Sequence, residues 1–314
     1  MPWLYNEARQ QWYRLDRVLD AGGEGEVWAG ELCSARLPVA IKVIHPQQDQ
    51  QRVVASWFHD QSIHLRCLGH PGVVQTFDQF CSQDGYWVLV MEMALGNVES
   101  LIRTGLPQSA LWVCSFGAQV LSAIDYLHSQ DVIHRDLTPK NVLLFPNGVF
   151  KINDFGVAKA QLQPQSITRT LLGSRHYLPP ELHTLGHWSR QSDVYQVGLL
   201  MLSLLLGRHV IAPWTSEDDA RRMVVDGIPR IVAEQLIATY GDLARIIYFM
   251  VCRTEALRYQ TARAAYDDIQ AVWTALWLQQ NQQQTSSAFD RFSNSVSARI
   301  AKFLQGPQST PMPG

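Results

Sequence analysis

The chain has 314 residues, enough for one large domain or two lobes that each bury a core. Its composition is 46% hydrophobic and 17% charged, which is typical of a globular protein and excludes an intrinsically disordered one. The net charge of -2 argues against nucleic acid or an anionic membrane surface as the main partner.

The cysteines and the apolar runs bear on location. The five cysteines are scattered and never spaced Cys-x-x-Cys, which predicts free thiols in a reducing, cytoplasmic compartment. The N-terminal residues lack the basic and apolar regions of a signal peptide. The longest apolar run, Val197 to Leu206, is shorter than the roughly 20 residues that a membrane span needs. It predicts a buried core helix instead.

Strand-like segments fill much of the first third of the chain. Tyr13 to Leu19, Leu37 to His45, Val73 to Phe80 and Tyr86 to Met91 are rich in residues that favour strands, and an Asp-Gly turn separates the last two. Residues 1–12 are expected to pack against the lobe that these strands form. Between the strands at 45 and 73, Arg52 to Leu68 reads as a helix.

Two features of this first lobe predict contact with an anion. Gly22, Gly23 and Gly25 lie between two strands, where their small size lets backbone N–H groups approach phosphate oxygens. Lys42 interrupts the otherwise apolar strand Leu37 to His45, and a lysine on its buried side needs a partner because an unpaired buried ammonium is costly. Ordinary alternation toward solvent is the alternative for Lys42.

The stretch from Val132 to Gly156 organises the rest of the chain. Two apolar runs flank a Pro-Asn-Gly sequence at 146–148, which predicts a hairpin. The hairpin would bring Asp136 and Asn141, before its first strand, near Asp154, after its second. Two carboxylates and an amide oxygen in one small volume predict a site for a divalent cation such as Mg²⁺, shared with a substrate phosphate. A helix cap or a turn is the alternative role for any one of them.

The order of these motifs resembles that of the eukaryotic-type serine/threonine protein kinases, over roughly residues 13–275. His134-Arg135-Asp136 with Asn141 resembles the catalytic loop, Asp154-Phe155-Gly156 resembles the metal-binding loop, and Val-Ala-Ile-Lys ending at Lys42 resembles the third strand. The resemblance implies an α+β, bilobal fold with a small β-rich N-lobe that holds one main helix, and a larger, mostly helical C-lobe. The glycine-rich loop looks most like that of bacterial members.

The resemblance also implies an activity, namely transfer of the γ-phosphoryl of Mg-ATP to serine or threonine hydroxyls of protein substrates. Asp136 would accept the proton of the hydroxyl, Asn141 and Asp154 would hold Mg²⁺, and Lys42 would fix the α- and β-phosphates. The residues expected to contact ATP are Gly22, Gly23, Gly25, Val27, Ala40, Lys42, Met91, Glu92, Met93 and Leu143. Those expected to have structural roles are Gln61, His134, Arg135, Phe155, Glu181, Asp193 and Arg258, with Arg258 pairing with Glu181.

Three positions depart from the family pattern. Asp20 replaces the first glycine of the loop, Gln61 replaces a helix glutamate that pairs with the strand lysine, and Thr138 replaces a lysine near the γ-phosphate. Lys140 is expected to supply the missing charge, as a further catalytic residue. The departures favour an alternative, a pseudokinase scaffold that binds nucleotide weakly or not at all and acts through protein partners. A small-molecule kinase is a third possibility.

Regulation is also implied by the resemblance. Arg135 precedes Asp136, an order that in the family goes with control by a phosphate on the activation segment, since an arginine grips a phosphate through charge-assisted hydrogen bonds. Thr168 and Thr170, in the polar segment after the metal-binding loop, are the predicted phosphorylation sites, and autophosphorylation is expected.

The expected division of the chain is an N-lobe over 1–93, a C-lobe over 94–278 and a tail over 279–314. The tail opens with a glutamine-rich linker, which has five glutamines between Gln279 and Gln284. Residues 288–304 follow with apolar side chains at helical spacing. They predict an amphipathic helix that docks on the C-lobe or binds a protein partner, and the residues after it are expected to be disordered.

Overall fold

The computed structural model describes residues 3–22, 25–44, 69–154 and 175–282. Over these ranges the chain forms a β-sheet N-lobe and a helical C-lobe, and the expected α+β, bilobal architecture is confirmed. Several predictions lie outside the described residues: the helix at 52–68 with Gln61, and those for Gly23, Phe155, Thr168, Thr170 and residues 288–304.

The N-lobe is an antiparallel sheet. Its described strands are β1 (Trp3–Asn6), β2 (Gln11–Gly22), β3 (Gly25–Leu32), β4 (Leu37–Ile44), β5 (Thr76–Cys81) and β6 (Trp87–Glu92). They lie side by side in the order β1-β2-β3-β4-β6-β5. In β4, Val39, Ile41 and Val43 are buried while Ala40 and Lys42 alternate with them, because successive side chains of a strand point to opposite faces.

The two edge strands of this sheet, β1 and β5, are bridged by polar side chains. Asp78 of β5 is buried and accepts hydrogen bonds from Asn6 Nδ2 at 2.8 Å and from the Tyr13 hydroxyl at 2.5 Å. Arg9 donates to the carbonyl of Phe77 at 3.2 Å. The sheet is therefore curled until its edges meet, and the expected packing of the N-terminal segment on this lobe is confirmed.

The predicted hairpin forms β8 (Val142–Phe145) and β9 (Val149–Ile152), joined by Pro146–Gly148, with β7 (Gly96–Asn97) beside β8. Asn147 takes a left-handed φ of 62°, a conformation that asparagine tolerates well. Ile152 exchanges backbone hydrogen bonds with Gly72 and Val74 at 2.9 and 3.0 Å. These bonds tie the hairpin to residues 72–74, which lead into strand β5 of the N-lobe sheet.

Two long helices form the centre of the C-lobe. Ala110–Ser129 is long and apolar enough to cross a membrane, but here it packs in the core against Arg190–Leu206. A Cβ on Gly117 of the first helix would lie 2.7 Å from Met201 of the second, so the glycine permits their close approach. The helices are α1 (Val98–Arg103), α2 (Ala110–Ser129), α3 (Pro180–Leu185), α4 (Arg190–Leu206), α5 (Glu217–Val225), α6 (Ile228–Gln235), α7 (Ile237–Tyr240) and α8 (Asp242–Met250), followed by helical residues 262–282.

The last helix among the described residues extends beyond the expected end of the C-lobe. Residues 279–282 are helical and continue the run from 262, although the glutamines there indicate a linker by composition. Glutamine is a good helix former, and these residues carry on a helix that packs on the C-lobe core through its first half.

Candidate active site

Asp136 and Asn141, predicted to lie close together, are in direct contact. The Asn141 side-chain amide donates to Asp136 Oδ2 at 2.8 Å and to the Asp136 carbonyl at 2.9 Å. Backbone bonds from Thr138 to Asp136 and from Asn141 to Thr138, both 3.0 Å, close the loop between them. The short loop therefore fixes the carboxylate against the amide.

The backbone of this loop is held from below by Asp193, a fully buried carboxylate at the start of α4. Asp193 accepts from the N–H groups of His134 and Arg135, each at 2.9 Å, and contacts His128 Nε2 at 2.8 Å. Arg135 has a φ of 69°, which is uncommon for a residue with a side chain. The hydrogen bonds to Asp193 offset the cost of this conformation.

His134 links the loop of residues 134–141 to Asn153, the residue before Asp154. Its Nδ1 accepts from the Asp136 N–H at 3.3 Å, so its Nε2 carries the proton and donates to the Asn153 carbonyl at 3.2 Å. The Asn153 N–H in turn donates to the Asn141 carbonyl at 2.9 Å. These bonds assemble the predicted group of Asp136, Asn141 and Asp154.

Lys42 reaches this group across the cleft between the lobes. Its ammonium lies 3.0 Å from Asp154 Oδ2, and the two side chains are 16% and 34% exposed. The expected need of Lys42 for an anionic partner is therefore met within the protein, and the alternative that it faces solvent is wrong. Asp154 also has a left-handed φ, of 59°.

An apolar cluster lies beside these charges, where strands β4, β6 and β8 meet. Met91 and Phe145 are buried, and Ala40 and Leu143 pack against them with partial exposure. Val27 pairs with Lys42 in the sheet and so lies on the same face. Four predicted ATP contacts thus line one apolar surface, which suits a flat aromatic base.

Strand β6, which carries Met91 of this apolar surface, ends at Glu92. The negative charge of the Glu92 carboxylate is neutralised by a lysine. Lys151 of β9 lies 2.7 Å from both Glu92 oxygens and 4.7 Å from the Phe145 ring centre. Gln75 donates its backbone N–H to the same carboxylate at 2.8 Å. Met93 and the residue after it leave the sheet here, so this segment is the hinge between the lobes.

The glycine-rich hairpin of β2 and β3 forms the outer rim of the cleft. The strands pair as far as Gly22 opposite Gly25. A Cβ on Gly25 would lie 2.1 Å from the Val43 carbonyl, so only glycine fits there. Asp20, two residues before Gly22, has its Oδ2 3.4 Å from the Lys140 ammonium. Asp20, which departs from the family pattern, and Lys140, which is expected to replace a missing positive charge, therefore form an ion pair.

The expected Glu181–Arg258 pair is present below the site. Arg258 donates from both terminal nitrogens to Glu181, at 2.6 and 2.8 Å, and both side chains are buried. Burial would raise the pKa of Glu181, but the hydrogen bonds from Arg258 and Ser192 outweigh it, so its pKa lies below the usual value. Glu181 precedes residues 182–192 and Asp193 follows them, so the hydrogen bonds of these two carboxylates hold the segment at both ends.

Sequence reasoning missed three residues that support the site. Gln196 accepts from the Leu137 N–H at 3.2 Å and donates to the Tyr177 carbonyl at 3.2 Å. The other two are His128, which contacts Asp193, and Lys151, which contacts the hinge glutamate. Gln196 and His128 sit on otherwise apolar helix faces, a signal that could have found them, whereas Lys151 looks like an ordinary outward-facing strand residue.

The donor set fits a divalent cation shared with a ligand. Within the described residues, no cluster of three or more His, Cys, Asp or Glu side chains is placed to hold a metal ion by itself. Asp154 and Asn141 offer hard oxygen atoms, which suit Mg²⁺ when phosphate oxygens and water complete its shell. Because the Asn141 amide nitrogen faces Asp136, its carbonyl oxygen points elsewhere and is the atom suited to a cation.

A family model described as "Protein kinase domain" matches residues 13–305, and the chain belongs to this protein kinase family. Membership implies ATP and a divalent metal ion as cofactors. The expected resemblance to bacterial serine/threonine kinases is confirmed by the relatives below.

The chain is similar to two bacterial proteins. One is "Probable serine/threonine-protein kinase PknB" of Lactococcus lactis subsp. lactis (strain IL1403), 35% identical over 203 residues, which are 62% of this chain and 32% of that protein. The other is "Serine/threonine-protein kinase PrkC" of Bacillus subtilis (strain 168), 32% identical over 199 residues, 62% of this chain and 30% of that protein. The chain thus matches about a third of the length of each.

Proposed function

We propose that this chain is the catalytic domain of a serine/threonine protein kinase and transfers the γ-phosphoryl of Mg-ATP to hydroxyls of protein substrates. The observation that carries the proposal is the joining of Asp136 with Asn141 and of Lys42 with Asp154 across one cleft. The similarity to proteins named serine/threonine kinases supports this acceptor class.

Asp136 would orient the acceptor hydroxyl and take its proton. The hydrogen bond from Asn141 fixes the rotation of the carboxylate, and Asp193 fixes the backbone that carries it through His134 and Arg135. Such placement matters because phosphoryl transfer depends mainly on positioning and on stabilising charge.

The nucleotide would lie between the lobes. Val27, Ala40, Met91 and Leu143 would enclose the base, and the backbone of Glu92 and Met93 would contact its edge. Lys42 would bind the α- and β-phosphates, which the hairpin of Gly22, Gly23 and Gly25 would cover. Asp154 and Asn141 would hold Mg²⁺, which when bound neutralises charge on the β- and γ-phosphates.

Control by phosphorylation belongs to the same proposal. Thr168 and Thr170 are proposed as autophosphorylation sites, and Arg135 as the cation that senses the phosphate. Support comes from Arg135, which is buried next to Asp136, and burial lowers the pKa of its guanidinium against the opposing effect of Asp193. A phosphate beside it could form charge-assisted hydrogen bonds with the guanidinium. Intact-mass analysis after incubation with Mg-ATP tests this, and an unchanged mass would refute it.

Location and partners complete the proposal. We place the domain in the cytoplasm, supported by the absence of a disulfide among the described cysteines 33, 81, 114 and 252. Residues 288–304 are proposed to dock on the C-lobe or on a protein partner. The family match, which continues to residue 305, favours docking within the domain.

Transfer of label from γ-labelled ATP tests the activity. Wild type, Asp136→Asn and Asp242→Asn are compared with Mg²⁺ and a generic protein substrate. Asp242 forms an exposed pair with Arg245 on α8, so its variant is a matched Asp-to-Asn control. We expect label on serine or threonine in wild type and control, and a loss of at least about 100-fold in Asp136→Asn.

The outcomes separate the two classes of function. Label that depends on Asp136 establishes a kinase and shows that the residues at positions 20, 61 and 138 permit catalysis. Folded wild-type protein that labels nothing would overturn the proposal and favour the scaffold alternative.

A further inference from the structure

One row of the N-lobe sheet carries opposite charges toward the cleft. Asp20 of β2 pairs with Val27 of β3, and Val27 pairs with Lys42 of β4. Directly paired residues of neighbouring strands place their side chains on the same face of a sheet. Asp20 and Lys42 therefore both face the C-lobe, on either side of Val27.

Each of these charges meets an opposite charge of the C-lobe. Lys42 lies 3.0 Å from Asp154, and Asp20 lies 3.4 Å from Lys140. Two ion pairs of reversed polarity thus cross the cleft, one at its inner end and one at its mouth. We call the second the mouth pair.

The two side chains of the mouth pair can separate at little cost in free energy. Its side chains are 59% and 57% exposed, against 34% and 16% for the inner pair. An ion pair so exposed to water contributes little free energy, so separating its partners costs little. The Ala21 N–H donates to Asp20 Oδ1 at 3.0 Å, which holds the carboxylate in place and leaves Oδ2 facing Lys140.

Lys140 is also placed close to the reacting groups. It directly precedes Asn141, whose side chain contacts Asp136. Its ammonium is therefore carried by the same short loop as the proposed metal ligand and base. Its partner Asp20 belongs to the glycine-rich hairpin, which in the proposed function covers the phosphates of the nucleotide.

We propose that Lys140 exchanges Asp20 for the γ-phosphate of the bound nucleotide. Asp20 then competes with the nucleotide for Lys140, and Lys140 is the residue that distinguishes a triphosphate from a diphosphate. The inference rests on the proposed function, because it takes ATP as the ligand of the cleft. It also gives Asp20 a role: without nucleotide its charge is compensated, and with nucleotide it is displaced.

The exchange has a signature that a fixed pair lacks. If the two residues compete as described, removing Asp20 releases Lys140 and strengthens triphosphate binding, whereas removing Lys140 weakens it. If the pair is only a static bridge between the lobes, removing either partner breaks the same bridge, so both variants shift affinity in the same direction. The sign of the two effects therefore decides between the readings.

The test is the dissociation constant of a non-hydrolysable ATP analogue and of ADP, each with Mg²⁺, measured by calorimetry at low ionic strength, where exposed charges are least screened. We expect Asp20→Asn to tighten analogue binding about twofold to fivefold and Lys140→Gln to weaken it by a similar factor. ADP affinity should change less than analogue affinity in both variants. Lys140→Arg should retain the preference for the triphosphate, and Asp242→Asn should change neither constant.

Each outcome of these binding measurements either supports or overturns the proposed exchange. Effects of opposite sign that are confined to the triphosphate support the exchange. Effects of the same sign, or equal effects on both nucleotides, overturn it and leave the proposed function intact. Wild-type protein that binds neither nucleotide overturns the proposed function together with this inference.

Discussion

Two ion pairs of this molecule have opposite surroundings. Glu181 and Arg258 meet through two bonds of 2.6 and 2.8 Å, with side chains 3% and 0% exposed. Lys42 and Asp154 meet at 3.0 Å and are 16% and 34% exposed. The first pair is sealed in the C-lobe, while the second lies open in the cleft.

The polar atoms of the buried pair have further partners besides each other. Ser192 donates to Glu181 at 2.6 Å, Arg258 Nε donates to the Cys252 carbonyl at 2.6 Å, and the guanidinium lies 4.9 Å from the Tyr195 ring centre. A buried charge is tolerated only with such a complete set of partners. The comparison teaches that the buried pair fixes the fold, whereas the cleft pair can change partners when a ligand arrives.

The largest expected effect comes from breaking the buried pair. Arg258→Ala leaves Glu181 as an uncompensated buried charge and should lower the free energy of unfolding by about 3–5 kcal/mol. Chemical denaturation measures it. Arg245→Ala, which breaks an exposed pair, is the control and should stay within about 0.5 kcal/mol of wild type. A loss below about 1 kcal/mol in Arg258→Ala would contradict the role assigned to the pair.

The same pair predicts a pH dependence. The pKa of Glu181 is lower in the folded protein than its ordinary value of 4.5, so the unfolded state binds the proton more readily. The stabilisation is therefore complete above pH 4.5 and is lost as the pH falls through the folded pKa. Unfolding measured from pH 7 down to about pH 3 should show a constant advantage of wild type over Glu181→Gln down to about pH 5, and an advantage that shrinks as the pH falls further. A constant difference between them would argue against this assignment.

A smaller loss of stability is expected at Asp193, which holds the loop that carries Asp136. In Asp193→Asn an amide NH2 group replaces one of the two carboxylate oxygens. This group would face at least one of the three N–H groups that now bond to Asp193, so the free energy of unfolding should fall by about 1–3 kcal/mol. Because the loop carrying Asp136 shifts, kcat should fall about 100-fold while the Kd for nucleotide stays near that of wild type. Equal kcat in both proteins would refute the positioning role.

The smallest effect on stability is expected at the cleft pair. Lys42→Met leaves Asp154 in contact with water, so the free energy of unfolding should change by less than about 1 kcal/mol. Phosphate transfer should nevertheless be lost. A destabilisation as large as that of Arg258→Ala would remove the contrast on which the comparison rests.

The parts of the site that could be predicted from sequence are those set by local signals. The Pro-Asn-Gly turn fixes the hairpin, and the hairpin brings Asn141 and Asp154 together, so their placement follows from chain order. The start of the helix Ala110–Ser129 is likewise set by a local signal, because the Ser109 side chain accepts a hydrogen bond from the Trp112 N–H and so caps the first turn.

The remaining contacts depend on how distant elements pack. Lys140 and Asp20 are 120 residues apart, and Lys151 and Glu92 are 59 apart, and neither pair has a periodic signal that joins its members. Composition also failed at residues 279–282, which form helix where glutamines indicated a linker. Contacts of this kind need the relative position of two elements, which the residues of one element do not encode.

Thermal unfolding with and without ligand tests the central claim, that the buried pair fixes the fold and the cleft pair serves the ligand. Wild type, Arg258→Ala and Lys42→Met are heated with Mg²⁺ alone and with Mg²⁺ plus a non-hydrolysable ATP analogue at about 100 times its Kd for wild type, where bound ligand adds about 2.7 kcal/mol. We predict that Arg258→Ala has a lower Tm but keeps the ligand-induced rise, and that Lys42→Met keeps the wild-type Tm but loses most of the rise. A Lys42→Met protein that melts as early as Arg258→Ala, or that gains the full rise, would contradict the account.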